Sequence, residues 1–122
     1  MEQASIEKDT ETNSTMRHLK IKLGVCKRMT KEAAYYKKEA EDNQKIVAQL
    51  TLEDADEWQL KQPIMCVEES YAMISESGRR LQIAIDDLYS YLMKFGEDIS
   101  LSEGEGLMLK QEAEALFSDN SF

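Results

Sequence analysis

The side chains that carry most enzyme chemistry are scarce in this chain. One histidine, His18, and two cysteines, Cys26 and Cys66, are all it holds of those types. His18 has no second histidine and no adjacent nucleophile to work with, so it reads as a surface residue at the start of a helix. Two separated cysteines with a single histidine do not complete the usual four-ligand zinc site. Each cysteine falls inside a helical pattern, which predicts buried or half-buried thiols in a reducing compartment. The acidic groups Asp54/Asp56/Glu57 and Glu103/Glu105 lack the spacing of a calcium loop and read as solvated acids at helix starts. There is no glycine-rich phosphate loop, no GxSxG and no HExxH. The expectation is a protein that is not an enzyme and needs no cofactor or metal.

What remains is charge, and it is divided unevenly. The chain carries a net charge of −9. Yet residues 16–38 hold eight basic side chains (Arg17, Lys20, Lys22, Lys27, Arg28, Lys31, Lys37, Lys38) against one acid, Glu32. Residues 51–122 hold five basic side chains against sixteen acids. Two outcomes are open: the basic helix pairs with acidic neighbours at the edges of a helix seam, or it offers a basic face to an acidic partner. Ile21, Gly24, Arg28, Lys31, Tyr35 and Lys38 lie off the seam positions. Exposed Ile21 and Tyr35 would make that face a protein-docking surface; packed on a third helix they would not. The pI of about 4.6 argues against nucleic acid, because the acidic remainder repels phosphate.

These residues need rigid elements to position them. One proline and five glycines in 122 residues are too few for a turn-rich β fold, and 32% charged residues suit solvated helices in a single domain. No run approaches the ~20 apolar residues that span a bilayer. Residues 1–15 are polar, without the positive start and apolar run of a secretory signal, and read as an unstructured tail, as do 119–122. From Met16, Leu19, Cys26, Met29, Ala33, Tyr36, Ala40, Val47 and Leu50 share the a and d positions of one heptad frame. Lys22 and Asn43 interrupt it, with Leu23 and Ile46 placed to cover them. Thr51 and Asp54 read as a helix start. A second stripe runs through Leu60, Ile64, Val67, Tyr71, Ile74, Leu81, Ile85, Leu88, Leu92 and Phe95, with Gly78 at the seam where it admits a close neighbour. Pro63 either opens this helix in its first turn or kinks a helix that began earlier. Gly96 ends it. Ser102 with Glu105 reads as the cap of a third, shorter helix whose apolar face is Leu109, Ala113, Leu116 and Phe117, and whose first turns Gly104 and Gly106 weaken. The prediction is an all-α fold: an antiparallel up-down-up three-helix bundle over residues 16–118, with two long helices and a shorter third.

Two segments carry a resemblance. The run Leu19-Lys20-Ile21-Lys22-Leu23-Gly24-Val25-Cys26-Lys27-Arg28-Met29-Thr30-Lys31-Glu32, continued by Tyr36 and Lys38-Glu39-Ala40, resembles the opening helix of the tubulin-binding cofactor A family. Glu69-Ser70, Met73-Ile74 and Arg79-Arg80-Leu81, followed by Ala84, Asp87 and Leu88, resemble its middle helix. Where the family usually has Pro-Asp after Met-Ile, this chain has Ser75-Glu76, so the family's middle-helix kink is absent or moved toward Pro63. The resemblance implies an ATP-independent cytoplasmic chaperone associated with the cytoskeleton. It would capture β-tubulin folding intermediates and pass them toward αβ-heterodimer assembly, with other tubulin-folding cofactors as further partners and no role for nucleic acid or membrane. Combined with the charge pattern, it places partner contact on Lys20, Ile21, Lys27, Arg28, Lys31, Tyr35 and Lys38, supported by Arg79 and Arg80. The alternative is a generic helical adaptor or scaffold that binds a partner helix through an apolar groove.

Overall fold

In a computed structural model the chain is described over residues 2–119, with side chains from 14 to 118. All its regular structure among the described residues is helical: α1, Glu2–Leu52; α2, Glu57–Phe95; a single 3-10 turn, Ile99–Leu101; and α3, Gly104–Asp119. This is the predicted all-α bundle with two long helices and a shorter third. The helical backbone of α1 reaches back to Glu2. The tails expected at 1–15 and 119–122 fall almost entirely outside the described side chains.

The link between the long helices corrects the sequence reading. Thr51 does not start a helix; its hydroxyl donates to the Val47 carbonyl at 2.8 Å in the last turn of α1. Asp54 adopts a left-handed φ of 58°, which a short polar side chain tolerates. That lets Ala55 N–H reach the Leu50 carbonyl at 3.0 Å and Asp54 N–H the Thr51 carbonyl at 3.2 Å. These two bonds close the helix in the Schellman manner without glycine. Asp56 opens α2 instead. Its carboxylate accepts from Gln59 N–H at 2.8 Å, and the Gln59 side chain accepts from Asp56 N–H at 3.0 Å. The reciprocal pair satisfies two N–H groups that a helix start leaves free. Pro63 lies inside α2, so the helix begins before it.

The chain forms two compact units. In the first, made by the chain up to Lys27 together with the part from Ile83 onward, all three helices meet. Lys20 pairs with Glu105 at 3.6 Å, and Lys27 pairs with Glu112. Equal sequence offsets at both pairs mean that α3 runs parallel to α1. Lys22 pairs with Asp87 at 2.7 Å, and the Tyr91 hydroxyl donates to the Thr15 carbonyl at 2.9 Å, so α2 runs antiparallel to α1. Leu19, Leu23 and Cys26 of α1, Ile85 and Leu88 of α2, Leu101 and Ala113 are buried between them. Each fully buried leucine contributes about 1.5–3 kcal/mol of transfer free energy. Burial, then the nearby Asp87 charge, pushes the Cys26 thiol above its ordinary range and keeps it protonated.

The second unit, Arg28–Gln82, is an antiparallel pair of the remaining parts of α1 and α2. Its buried residues are Ala40, Ser70 and Ser77. Asn43 Nδ2 donates to Ser70 Oγ at 2.9 Å, and Ser70 Oγ donates to the Cys66 carbonyl at 2.9 Å. Gln44 also bonds the Tyr71 hydroxyl. The predicted frame holds on α2 from Leu81 onward but is displaced by one position before it. Cys66, Ser70, Met73 and Ser77 face the seam, while Ile64 and Tyr71 are exposed. Ile46 does not cover Asn43; it is half exposed, and the Asn43 amide is satisfied by Ser70 instead. Phe95, in the first unit, is also exposed rather than seam-bound.

Gly78 falls on the exposed side of this displaced frame, and nothing lies within 4 Å of a Cβ built on it. It admits no close neighbour. Gly78→Ala is therefore expected to stabilise the protein by about 0.5–1 kcal/mol through helix propensity alone, seen as a higher urea midpoint with unchanged slope.

The 3-10 turn joins α2 to α3. Asp98 caps it, accepting from the Ser100 hydroxyl at 2.7 Å and the Ser100 N–H at 3.0 Å. These bonds, with a further one from the Thr15 hydroxyl, hold the Asp98 carboxyl below the usual carboxylate range. A lowered folded value means that Asp98 adds stability above its unfolded pKa and loses it as pH falls through the folded one. Asp98→Ala is expected to cost about 1 kcal/mol at neutral pH. In urea unfolding, the gap from wild type should narrow toward pH ~3. Ser102 does not cap α3; its hydroxyl donates to the Ile99 carbonyl at 2.6 Å and closes the 3-10 turn. Gly104 opens α3 with φ +61°, and a Cβ on Gly106 would lie 1.8 Å from the Ser100 carbonyl oxygen. Both glycines are required by the turn rather than being weak points of the helix.

Candidate functional site

The nine residues that the sequence marks for partner contact fall into the two units and divide by how they are used. In the first unit, Lys20 and Lys27 face the acids of α3 through the Glu105 and Glu112 pairs. These are exposed pairs of small energetic value, but they draw both lysines toward the bundle. Ile21 lies between them in sequence and is 54% exposed; α3 does not cover it.

In the second unit, Arg28, Lys31, Tyr35 and Lys38 follow one another at spacings of three, four and three, which places them on one face of α1. All four are exposed, and Tyr35 leaves 62% of its surface open. Its ring meets Tyr36 edge to face, with centroids 5.4 Å apart. That contact limits the freedom of a side chain with little else around it. Arg28, Lys31 and Lys38 form no ion pair among the described residues. The arginines of α2 are engaged. Arg79 pairs with Glu76 at 2.7 Å, and its hydrogen bond and charge hold the Glu76 carboxyl below the usual range. Arg80 pairs with Glu32 of α1 at 3.2 Å and lies 3.8 Å from Glu76. Its Nε is buried without a hydrogen-bond partner. Arg80 thus ties the two helices of its unit together and is only partly displayed.

The structure also displays residues that the seam frames did not single out. Trp58 is 80% exposed beside Lys61, Ile64, Met65 and Glu68, near the start of α2. The available signal was a lone tryptophan off the apolar stripe. A cleft of about 390 Å³ opens between α1 and α2 in the second unit, lined by Tyr35, Tyr36, Glu39, Asn43, Glu69 and Met73 among others. No group of three or more His, Cys, Asp or Glu side chains among the described residues is placed to hold a metal ion. No described helix is long and apolar enough to cross a membrane. What the arrangement offers chemically is a charged, partly aromatic surface on a rigid helix.

The chain is also similar to known proteins in sequence and in fold. The family described as tubulin binding cofactor A matches residues 14–116. The chain is 39% identical over 84 residues to tubulin-folding cofactor A of Arabidopsis thaliana, covering 69% of this chain and 74% of that one. It is 38% identical over 77 residues to tubulin-specific chaperone A of Gallus gallus, covering 63% and 71%. The crystal structure of tubulin folding cofactor A from Arabidopsis thaliana superposes with a TM-score of 0.76 at 34% identity, over 88% of this chain and 98% of that one. The human tubulin chaperone cofactor a superposes with a TM-score of 0.70 at 30% identity, over 88% and 99%. The likeness in sequence and in fold runs through the described helices, and the chain belongs to the tubulin binding cofactor A family.

Proposed function

We propose that this protein is a tubulin-folding chaperone that captures β-tubulin folding intermediates, without ATP, and passes them toward αβ-heterodimer assembly. The observation that carries the reading is the family match over residues 14–116. The surface supports it. Holding a partly folded client asks for a rigid face and no catalytic group, and the Arg28/Lys31/Tyr35/Lys38 face meets that requirement. Its cations, which make no ion pair among the described residues, attract an acidic client and speed encounter. Tyr35 supplies area that excludes water once the client docks and so slows release. Ile21 extends the contact, with Lys20, Lys27, Arg79 and Arg80 secondary because each already has an acidic partner. Such a chaperone acts in the cytoplasm beside the cytoskeleton, with other tubulin-folding cofactors receiving the client.

The test is co-migration of the purified protein with β-tubulin released from a chaperonin refolding reaction, with native αβ-heterodimer as control. The reading expects a stable complex with the released β-tubulin and none with the heterodimer. Binding to neither form, by protein that is folded, would leave a helical adaptor for another partner as the better account.

A further inference from the structure

The cleft in the second unit has a chemistry of its own. Its walls are two tyrosines and two carboxylates: Tyr35, Tyr36 and Glu39 from α1, and Glu69 from α2. The two rings stand at 73° to each other. The Asn43 and Ser70 side chains that also line it are already engaged, since Asn43 Nδ2 donates to Ser70 Oγ and Ser70 Oγ donates to the Cys66 carbonyl. What the cleft offers a newcomer is therefore ring faces, two phenol hydroxyls and the oxygens of two carboxylates.

Glu39 and Glu69 differ from Glu76 and Glu32 in having no cation at hand. Glu76 has Arg79 and Arg80 three and four residues on, and Glu32 meets Arg80. Glu39 has Tyr35, Tyr36, Asp42 and Asn43 at those spacings; Glu69 has Met65, Cys66, Ala72 and Met73. Neither can pair along its own helix. Neither forms an ion pair across the hairpin among the described residues. Two unpaired carboxylates flanking two aromatic faces attract a cation electrostatically and repel an anion. A planar guanidinium fits best, because it can lie on a ring and give forked hydrogen bonds to carboxylates.

We propose that this cleft is a socket for a single arginine side chain presented by a protein partner. The inference rests on the cleft and does not depend on which protein the partner is. It complements the neighbouring cationic face: a partner seated on both would present acids to Arg28, Lys31 and Lys38, and one arginine beside Tyr35.

The test is a two-dimensional NMR titration of the full chain with the probe acetyl-Gly-Arg-Gly-amide. The same peptide with citrulline in place of arginine removes the charge and keeps the shape. The expected result is saturable binding in the millimolar range by the arginine peptide, with shifts centred on Asn43, Ser70 and Met73. Citrulline should bind roughly tenfold more weakly. Glu39→Gln with Glu69→Gln should weaken the arginine peptide by about the same factor. Tyr35→Leu, which keeps an apolar body, should weaken it severalfold. Circular dichroism checks that each variant is folded, and all three positions border solvent. Equal binding of the two peptides, shifts centred elsewhere, or no saturation would each overturn the proposal. None of these outcomes involves tubulin, so failure here is separate from failure of the chaperone reading.

Discussion

Gly106→Ala is expected to lower the free energy of unfolding by about 3 kcal/mol, at the upper end of the usual cost of overpacking. The new Cβ would lie 1.8 Å from the Ser100 carbonyl oxygen, 2.8 Å from its carbon and 3.1 Å from Leu101 Cα. All three are backbone atoms, so no side chain can swing away to make room. Nor can the turn retreat freely, because Leu101 is fully buried in the first unit and Asp98 pins the other end through Ser100. Relief must come from pulling Leu101 out of the core or tilting the first turn of α3. Urea unfolding gives the measurement, with the midpoint falling and the slope held. Gly104→Ala is the control: it keeps open space around the new Cβ and tests the left-handed φ alone. A Gly106→Ala loss below about 1 kcal/mol would mean that the turn yields more readily than its buried leucine implies.

On the proposed function, reversing charge at Arg28, Lys31 and Lys38 together is expected to weaken capture of released β-tubulin by about ten- to a hundredfold. Most of the loss should lie in the association rate. The three side chains are exposed and make no ion pair among the described residues, so stability should change by only about 0.5 kcal/mol. Wild-type binding should weaken as salt rises, and the variant should lose most of that dependence, because screening acts on the charges removed. Lys27 is a poor choice for the same experiment. Its reversal would set a carboxylate against Glu112 and disturb the first unit as well as any partner. Full capture by the folded triple variant, with an unaltered salt response, would move the docking face away from α1.

Most of the bundle was legible because apolar side chains repeat at helical spacing. Leu19, Cys26, Ala40, Ile85, Leu88 and Ala113 all lie where the periodicity puts them, and all are buried. The pattern breaks down where polar residues occupy the seam. Ser70 and Ser77 carry no hydrophobic signal, and the exposed Ile64 and Tyr71 carry a misleading one. The frame through Gly78 followed bulk, whereas the hairpin follows the hydrogen bonds of Asn43. Helix ends failed for a related reason. Thr51 and Asp54 have the types and spacing of a cap, but the left-handed Asp54 gives that work to Asp56 and Gln59. For the candidate surface, spacing alone put Arg28, Lys31, Tyr35 and Lys38 on one face. The engagement of Lys20, Lys27 and Arg80 depended on pairing between elements, which spacing within one helix does not encode.

The uneven placement of the core has a thermal consequence. The second unit fully buries only Ala40 and two serines and leaves its larger seam side chains, among them Tyr36, Val47, Cys66 and Met73, half-buried, where the first buries leucines and an isoleucine. Parting the hairpin would wet side chains that are already half wet, so its opening should carry a smaller heat-capacity change than opening the first unit. The leucine-lined unit follows the steeper curve of hydrophobic burial, losing cohesion in the cold as well as in the heat. A chaperone face carried on the hairpin would therefore vary less with temperature in its adaptability than the leucine-lined unit varies in its stability.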